Sequence, residues 1–122
     1  MRSSETINKI ILLPKMFTDL GNISIYELLK QSGYFQNFNQ ITEKDIFNEL
    51  SHQPERIKEW ILYSENKRSD SGYFIEQKEK DSYIVGYFSL KGGRRDQTEY
   101  HKGNEACAAF IKHEIEEIRN QK

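Results

Sequence analysis

Cysteine is nearly absent, no charge of one sign prevails, and no long apolar run exists. Cys107 is the single cysteine, so no internal disulfide can form and the chain suits a reducing compartment. Eighteen basic residues stand against nineteen acidic ones, for a formal net charge of −1. The balance holds in both halves: residues 1–60 carry seven basic and eight acidic side chains, and residues 61–122 carry eleven of each. A protein that binds phosphate backbones draws its affinity from a basic excess, so this balance weighs against a dedicated nucleic-acid binder. The longest aliphatic run, Ile10-Ile11-Leu12-Leu13, stops at Pro14. It is too short for a signal-peptide core or a membrane span, and the chain reads as cytoplasmic with no membrane partner.

Core-forming material is plentiful by contrast. Apolar residues make up 36% of the chain, and seven Phe, seven Tyr and Trp60 supply more area than a disordered chain would carry. At 122 residues the length suits one domain, 1–122. A chain of this size buries about two-thirds of its unfolded surface.

Helix punctuation is the most legible feature. Ser24-Ile25-Tyr26-Glu27 has the form of a capping box, with Ile23 and Leu28 as a hydrophobic staple and Gly33 as the stop. This predicts a helix over 24–32. Thr42 and Asp45 repeat the pattern, Ile41 stapling to Ile46, and Ile46, Phe47 and Leu50 form a buried stripe. A third helix opens at Pro54, where a missing amide costs nothing, and ends near Glu65. It sets Ile57, Trp60 and Ile61 on one face. Upstream, Ile7, Ile10 and Ile11 make one short helix that Pro14 ends, and residues 1–15 read as a loosely attached segment.

The period then changes. Tyr73–Lys78 and Tyr83–Leu90 are rich in aromatic and β-branched residues around a polar turn at 79–82, which predicts a hairpin. Gly86 within the second strand marks a bulge or a close approach by another element. A short third strand is expected around Thr98–His101. Asn104 is the expected cap of the last helix, 104–119, with Cys107, Phe110, Ile111, Ile115 and Ile118 on its apolar face and Glu114 and Glu117 on its wet side. Helices followed by strands point to an α+β fold. The expected architecture is N-terminal helices, a three-stranded antiparallel β-meander, and a C-terminal helix packed on the sheet.

No catalytic constellation emerges. Nucleophilic chemistry needs a base beside the nucleophile, and His101 with Cys107 is the available pairing, on a thiol that the helix periodicity buries. His113 and Glu117 lie one turn apart, but a zinc site normally needs three or more protein ligands. Glu114, Glu116 and Glu117 read as a solvated face or as an acidic surface for a basic partner. Lys91-Gly92-Gly93-Arg94-Arg95 lacks the spacing of a phosphate-binding loop and reads as a strand connection whose arginines can contact a partner. The hairpin rings, Tyr73, Phe74, Tyr83, Tyr87 and Phe88, either face outward for recognition or pack under neighbouring loops. Binding is therefore expected rather than catalysis, with no cofactor and no metal.

Three runs of sequence carry a family likeness: Glu27–Phe35, Ile41–Ile46 and Trp60–Arg68. Ser71–Ile75, Tyr83–Tyr87 and Glu105–Ile111 continue it. Across roughly residues 20–118 the chain resembles small bacterial immunity proteins of contact-dependent growth inhibition and related polymorphic-toxin systems, by pattern and order rather than by a diagnostic motif. The resemblance implies a non-enzymatic cytoplasmic protein, monomeric when free, that neutralises a cognate toxin domain, often a nuclease. Such proteins commonly offer acidic side chains to a basic cleft, because complementary charge speeds encounter and fixes register. A net charge of −1 departs from the strongly acidic type. A protein–protein adaptor module without a toxin partner is the alternative. The expected interface, read from this sequence alone, is Asp70, Glu76, Glu79 and Asp81 around the hairpin, Tyr87 beside them, and Arg94 and Arg95 on the next loop.

Overall fold

The short helix expected over Ile7, Ile10 and Ile11 forms and stops just before Pro14, and Pro14 also helps to start a second helix that was not expected. The computed structural model, which describes residues 2–67 and 71–120, has α1 at Arg2–Ile11 and α2 at Leu13–Leu20, with Pro14 in the first turn of α2. There its missing amide has no helical acceptor to lose. The segment around residues 10–13 is not a loose attachment, because Ile10, Ile11 and Leu13 lie fully in the core. The Trp60 indole donates to the Ile11 carbonyl at 3.1 Å, which locks this segment to the rest.

The cap signals place α3 (Ile25–Gln31) and α5 (Glu43–His52). Thr42 and Asp45 form the complete reciprocal box. At α3 only half of it forms: Ser24 accepts from the Glu27 amide, while the Glu27 carboxylate accepts from Gln31 one turn on. Gly33, at φ 92°, takes the left-handed turn and is followed by α4 (Tyr34–Asn37) and a 3-10 turn, Phe38–Gln40. Pro54 precedes α6 (Glu55–Asn66).

Three antiparallel strands follow in meander order: β1 (Ser71–Glu79), β2 (Ser82–Ser89) and β3 (Gly93–Tyr100). β3 begins five residues before the expected 98–101 strand. Its Arg-Arg-Asp-Gln-Thr-Glu run shows no alternation because the strand lies exposed on the sheet's edge. The β2–β3 register shifts between Val85 and Tyr87, and Asp96 takes φ 55°, so the extra residue sits on β3 opposite Gly86. Gly86 also meets a close approach: a Cβ there would lie 2.9 Å from Gln97 Cγ and 3.1 Å from Phe74 Cε2.

The last helix, α7 (Gly103–Arg119), opens before Asn104. Asn104 is therefore inside the first turn rather than capping it, its carboxamide oxygen accepting from the next amide, that of Glu105. α7 packs against β1 and β2 and also touches α3, α5 and α6. With neighbours around it, the whole stretch from Ala106 to Ile111 is buried. Ile75 and Val85, paired across β1 and β2, meet it from the sheet. Phe110 meets Trp60 edge-on at 6.1 Å. Burying a ring of this size stabilises the fold by about 1.5–3 kcal/mol.

A candidate partner-binding surface

Strand alternation sorts the hairpin side chains into two faces. Tyr73, Ile75, Val85 and Tyr87 point to the α7 side, where Tyr73 stacks on His113 with ring centroids 4.6 Å apart. Phe74, Glu76, Ile84 and Phe88 point the other way, and Arg94 joins them as the cross-strand partner of Phe88. Helix α6 reaches one margin of this second face, where Ser64 and Lys67 line a small hollow with Phe74, Phe88 and Arg94. The face forms a half-buried apolar platform on which Arg94 grips Glu76 through two bonds of 3.0 and 2.9 Å. The guanidinium also lies 4.6 Å from the Phe74 ring centroid. Bonding by Arg94 holds the Glu76 carboxyl below its ordinary range. Gly86 keeps the middle of the platform low, leaving room for the Phe74 ring and the Gln97 stem.

The six described residues of the expected interface therefore do not form one patch. Glu76 and Arg94 share the open face and neutralise each other. Tyr87 and Arg95 lie on the opposite face, the guanidinium 4.9 Å from the ring, with Tyr87 also edge-on to Tyr73 at 5.0 Å. Glu79 and Asp81 stand exposed around the β1–β2 turn. Asp70 lies outside the described residues. Arg94 and Arg95 sit within β3, not on a loop, and adjacent strand residues face opposite ways.

The acidic trio of α7 is not a solvated face. Glu114 is almost wholly buried, taking the Lys67 ammonium at 2.8 Å on one oxygen and the Tyr63 hydroxyl at 2.7 Å on the other. Lys67 also donates to the Tyr73 carbonyl at 3.0 Å, joining α6, α7 and β1. Burial and the Glu114 carboxylate push the Tyr63 phenol well above its usual range. Burial, and then Glu114, also raise the Glu117 carboxyl. Glu116 is occupied by Arg119 and by the buried Tyr34 hydroxyl, and its carboxyl is lowered, chiefly by the Arg119 bond. The signal for Glu114 was present in the sequence. Position 114 follows 110 and 111 by four and three residues, which places it on the apolar stripe.

His113 spends its ring on Tyr73 rather than on a shared cation with Glu117. Cys107 is wholly buried, and burial pushes its thiol upward, away from a reactive thiolate. His101 is exposed at the β3–α7 junction, its Nδ1 3.3 Å from the Asp81 carbonyl oxygen.

A second concave surface lies between α2 and α6, a groove of about 860 Å³. Sequence reasoning did not find it, because α2 itself was missed. Phe17 and Leu62 line it while 42% and 56% exposed, and Tyr63 and Lys67 bring the buried network to its wall.

No family model, curated protein or solved structure matches this chain.

Proposed function

We propose that this chain is a cytoplasmic immunity protein, which binds a cognate bacterial toxin domain, a nuclease in the favoured case, and blocks its active site or an adjacent surface. The observation that carries the reading is the half-buried sheet face turned away from α7. Phe74, Ile84 and Phe88 offer half-buried apolar area there, with the Arg94–Glu76 pair fixed above it. A rigid platform of this kind loses little conformational entropy on binding, and planar arginine can bond a carboxylate or stack on a ring of the partner. The turn acids Glu79 and Asp81 lie at one end of the hairpin, where they can meet a basic cleft. The sequence resemblance to immunity proteins adds the kind of partner. An adaptor module without a toxin partner is the second reading, and the even charge balance of eighteen basic to nineteen acidic residues favours it.

Co-purification of the tagged chain with a toxic domain encoded next to its own gene tests the proposal. The expected result is a stable one-to-one complex in which toxicity is abolished. Within that complex, combined Glu76→Lys and Asp81→Lys substitutions are expected to weaken affinity at least tenfold, on the order of 1.4 kcal/mol. Because Glu76 is bonded to Arg94, the pair of changes also lowers stability, by less than about 1 kcal/mol as for other exposed ion pairs. Unchanged affinity would move the interface off the hairpin. A folded, toxic neighbour that does not bind would favour the adaptor reading.

A further inference from the structure

Two neighbouring arginines on β3 differ in whether their donors are already used. Arg94 gives two hydrogen bonds to Glu76. Arg95 gives none among the described residues: the Asp96 carboxylate lies 3.7 Å from its Nε, and the two side chains are 67% and 80% exposed. Cross-strand pairing sets Tyr87 beside Arg95 and Tyr73 beside Tyr87, and Tyr73 stacks in turn on His113 of α7. The guanidinium lies 4.9 Å from the Tyr87 ring, the tyrosine rings meet edge-on at 5.0 Å, and the Tyr73–His113 stack is 4.6 Å. Three strands and one helix thus build a continuous row of four side chains on the α7 side of the sheet.

The row ends in donors that nothing in the fold takes up. The Tyr73 and Tyr87 hydroxyls have no hydrogen-bond partner among the described residues, and neither is buried without one, so both reach solvent. The His113 ring nitrogens and the Arg95 guanidinium are also unbonded, on exposed residues. Nearby acids are turned elsewhere. Glu117, one turn beyond His113, lies against Gly72, and Glu114 is held by Lys67 and Tyr63. Packing of rings and guanidinium on one another fixes the donors before any ligand arrives, which lowers the ordering cost of binding. Tyrosine and arginine are also the types that carry most of the energy at protein interfaces.

We propose that this row binds an acidic segment of a partner protein. The planar fork of Arg95 takes one carboxylate through two bonds, His113 takes another at the far end, and the tyrosine hydroxyls bond between them. Neighbouring strands lie about 4.8 Å apart, so β1 and β3 are about 10 Å apart, enough for two carboxylates side by side. The rings do not suit a nucleic acid: His113 covers one face of Tyr73 and Arg95 lies over Tyr87, so a base meets occupied surfaces. A net charge of −1 also offers no general attraction to phosphates. This row lies on the opposite side of the sheet from the Phe74–Phe88 platform, so it stands whether or not the partner there is a toxin.

The test titrates the whole isotope-labelled chain with a glutamate–serine peptide, its glutamine–serine counterpart and a short oligothymidylate. The glutamate peptide is expected to give saturable amide shifts centred on residues 73, 87, 95 and 113. Arg95→Gln is expected to weaken it about tenfold, the loss of one charge-assisted contact. Tyr73→Phe with Tyr87→Phe, which keeps both rings and removes both hydroxyls, is expected to weaken it about fivefold. Lys44→Gln, which removes an exposed cation on α5 at the same change in net charge, is expected to leave binding unchanged. Equal binding of the glutamine peptide would overturn the proposal, as would no saturable shift at millimolar peptide. An equal loss in Arg95→Gln and Lys44→Gln would also overturn it, because the attraction would then belong to overall charge. Tighter binding of the oligothymidylate would overturn it in favour of a nucleic-acid surface.

Discussion

Helix α7 and strand β3 are consecutive in the chain and opposite in character. Nine of the seventeen residues of α7 are buried, whereas none of the eight residues of β3 is. The helix was legible in the sequence and most of the strand was not. Periodicity records which side of an element meets the core, so an element with no buried side leaves no periodic trace, however regular its backbone. The comparison also separates two roles: α7 holds the molecule together, and β3 completes the sheet face that it offers outward.

The division of roles is open to direct attack. The largest expected effect is at the centre of α7, where Phe110→Ala should cost about 3–5 kcal/mol in denaturant unfolding. A cost no greater than that of Arg95→Ala on β3 would abolish the distinction. Next comes Lys67→Met, which strands the buried Glu114 carboxylate. The side chains are only 16% and 3% exposed, so a loss of about 3 kcal/mol is expected. The double variant Lys67→Met/Glu114→Gln should recover more than half of it; additive losses would mean that the two charges do not act as a pair.

A smaller effect is expected where the sheet is most closely packed. Gly86→Val drives side-chain atoms against Gln97 and Phe74 and should cost about 1–3 kcal/mol. It should also disturb the open face more than the α7 side, which amide shifts would show. The smallest effect has a sign that depends on pH. The Glu117 carboxyl is raised by burial and by Glu114, so it binds its proton more tightly in the folded state than in the unfolded one. Its contribution favours folding while it is protonated and is lost as pH rises through the folded pKa. Glu117→Gln should therefore stabilise the protein at neutral pH by less than about 1 kcal/mol, and the gain should vanish in acid below the ordinary glutamate range. A loss at neutral pH would mean that attraction to Lys67 outweighs the burial.

Local chemistry that acts within a few residues was readable. Thr42 with Asp45, Ser24 with the Glu27 amide, and Gly33 each do locally much of what their types suggest, and the hairpin and the α7 stripe follow from simple periods. Long-range relations were not. Pro14 is compatible with both the end of one helix and the start of the next, and the Trp60–Ile11 bond that fixes this segment spans forty-nine positions. Glu114 was assigned to water by residue type although its position lay on the stripe; its partner Lys67 is forty-seven residues away. The interface suffered in the same way. Which hairpin residues share a face depends on register, and treating Arg94 and Arg95 as loop residues joined two side chains that the strand sends apart.

The bulge at Asp96 has a consequence for the protein in bulk. β3 is an outer strand of the sheet, and a straight outer strand invites a second chain to add its own strand, the first step of fibre growth. Here the left-handed Asp96 breaks the ladder midway, and Arg94, Arg95, Asp96 and Glu99 crowd the edge with charge. Any added strand would lose register after a few residues and would have to bury charge alongside it. Strand addition at the β3 edge is thus disfavoured, and the charged, exposed run that hid β3 from sequence reading helps to keep that edge from templating aggregation.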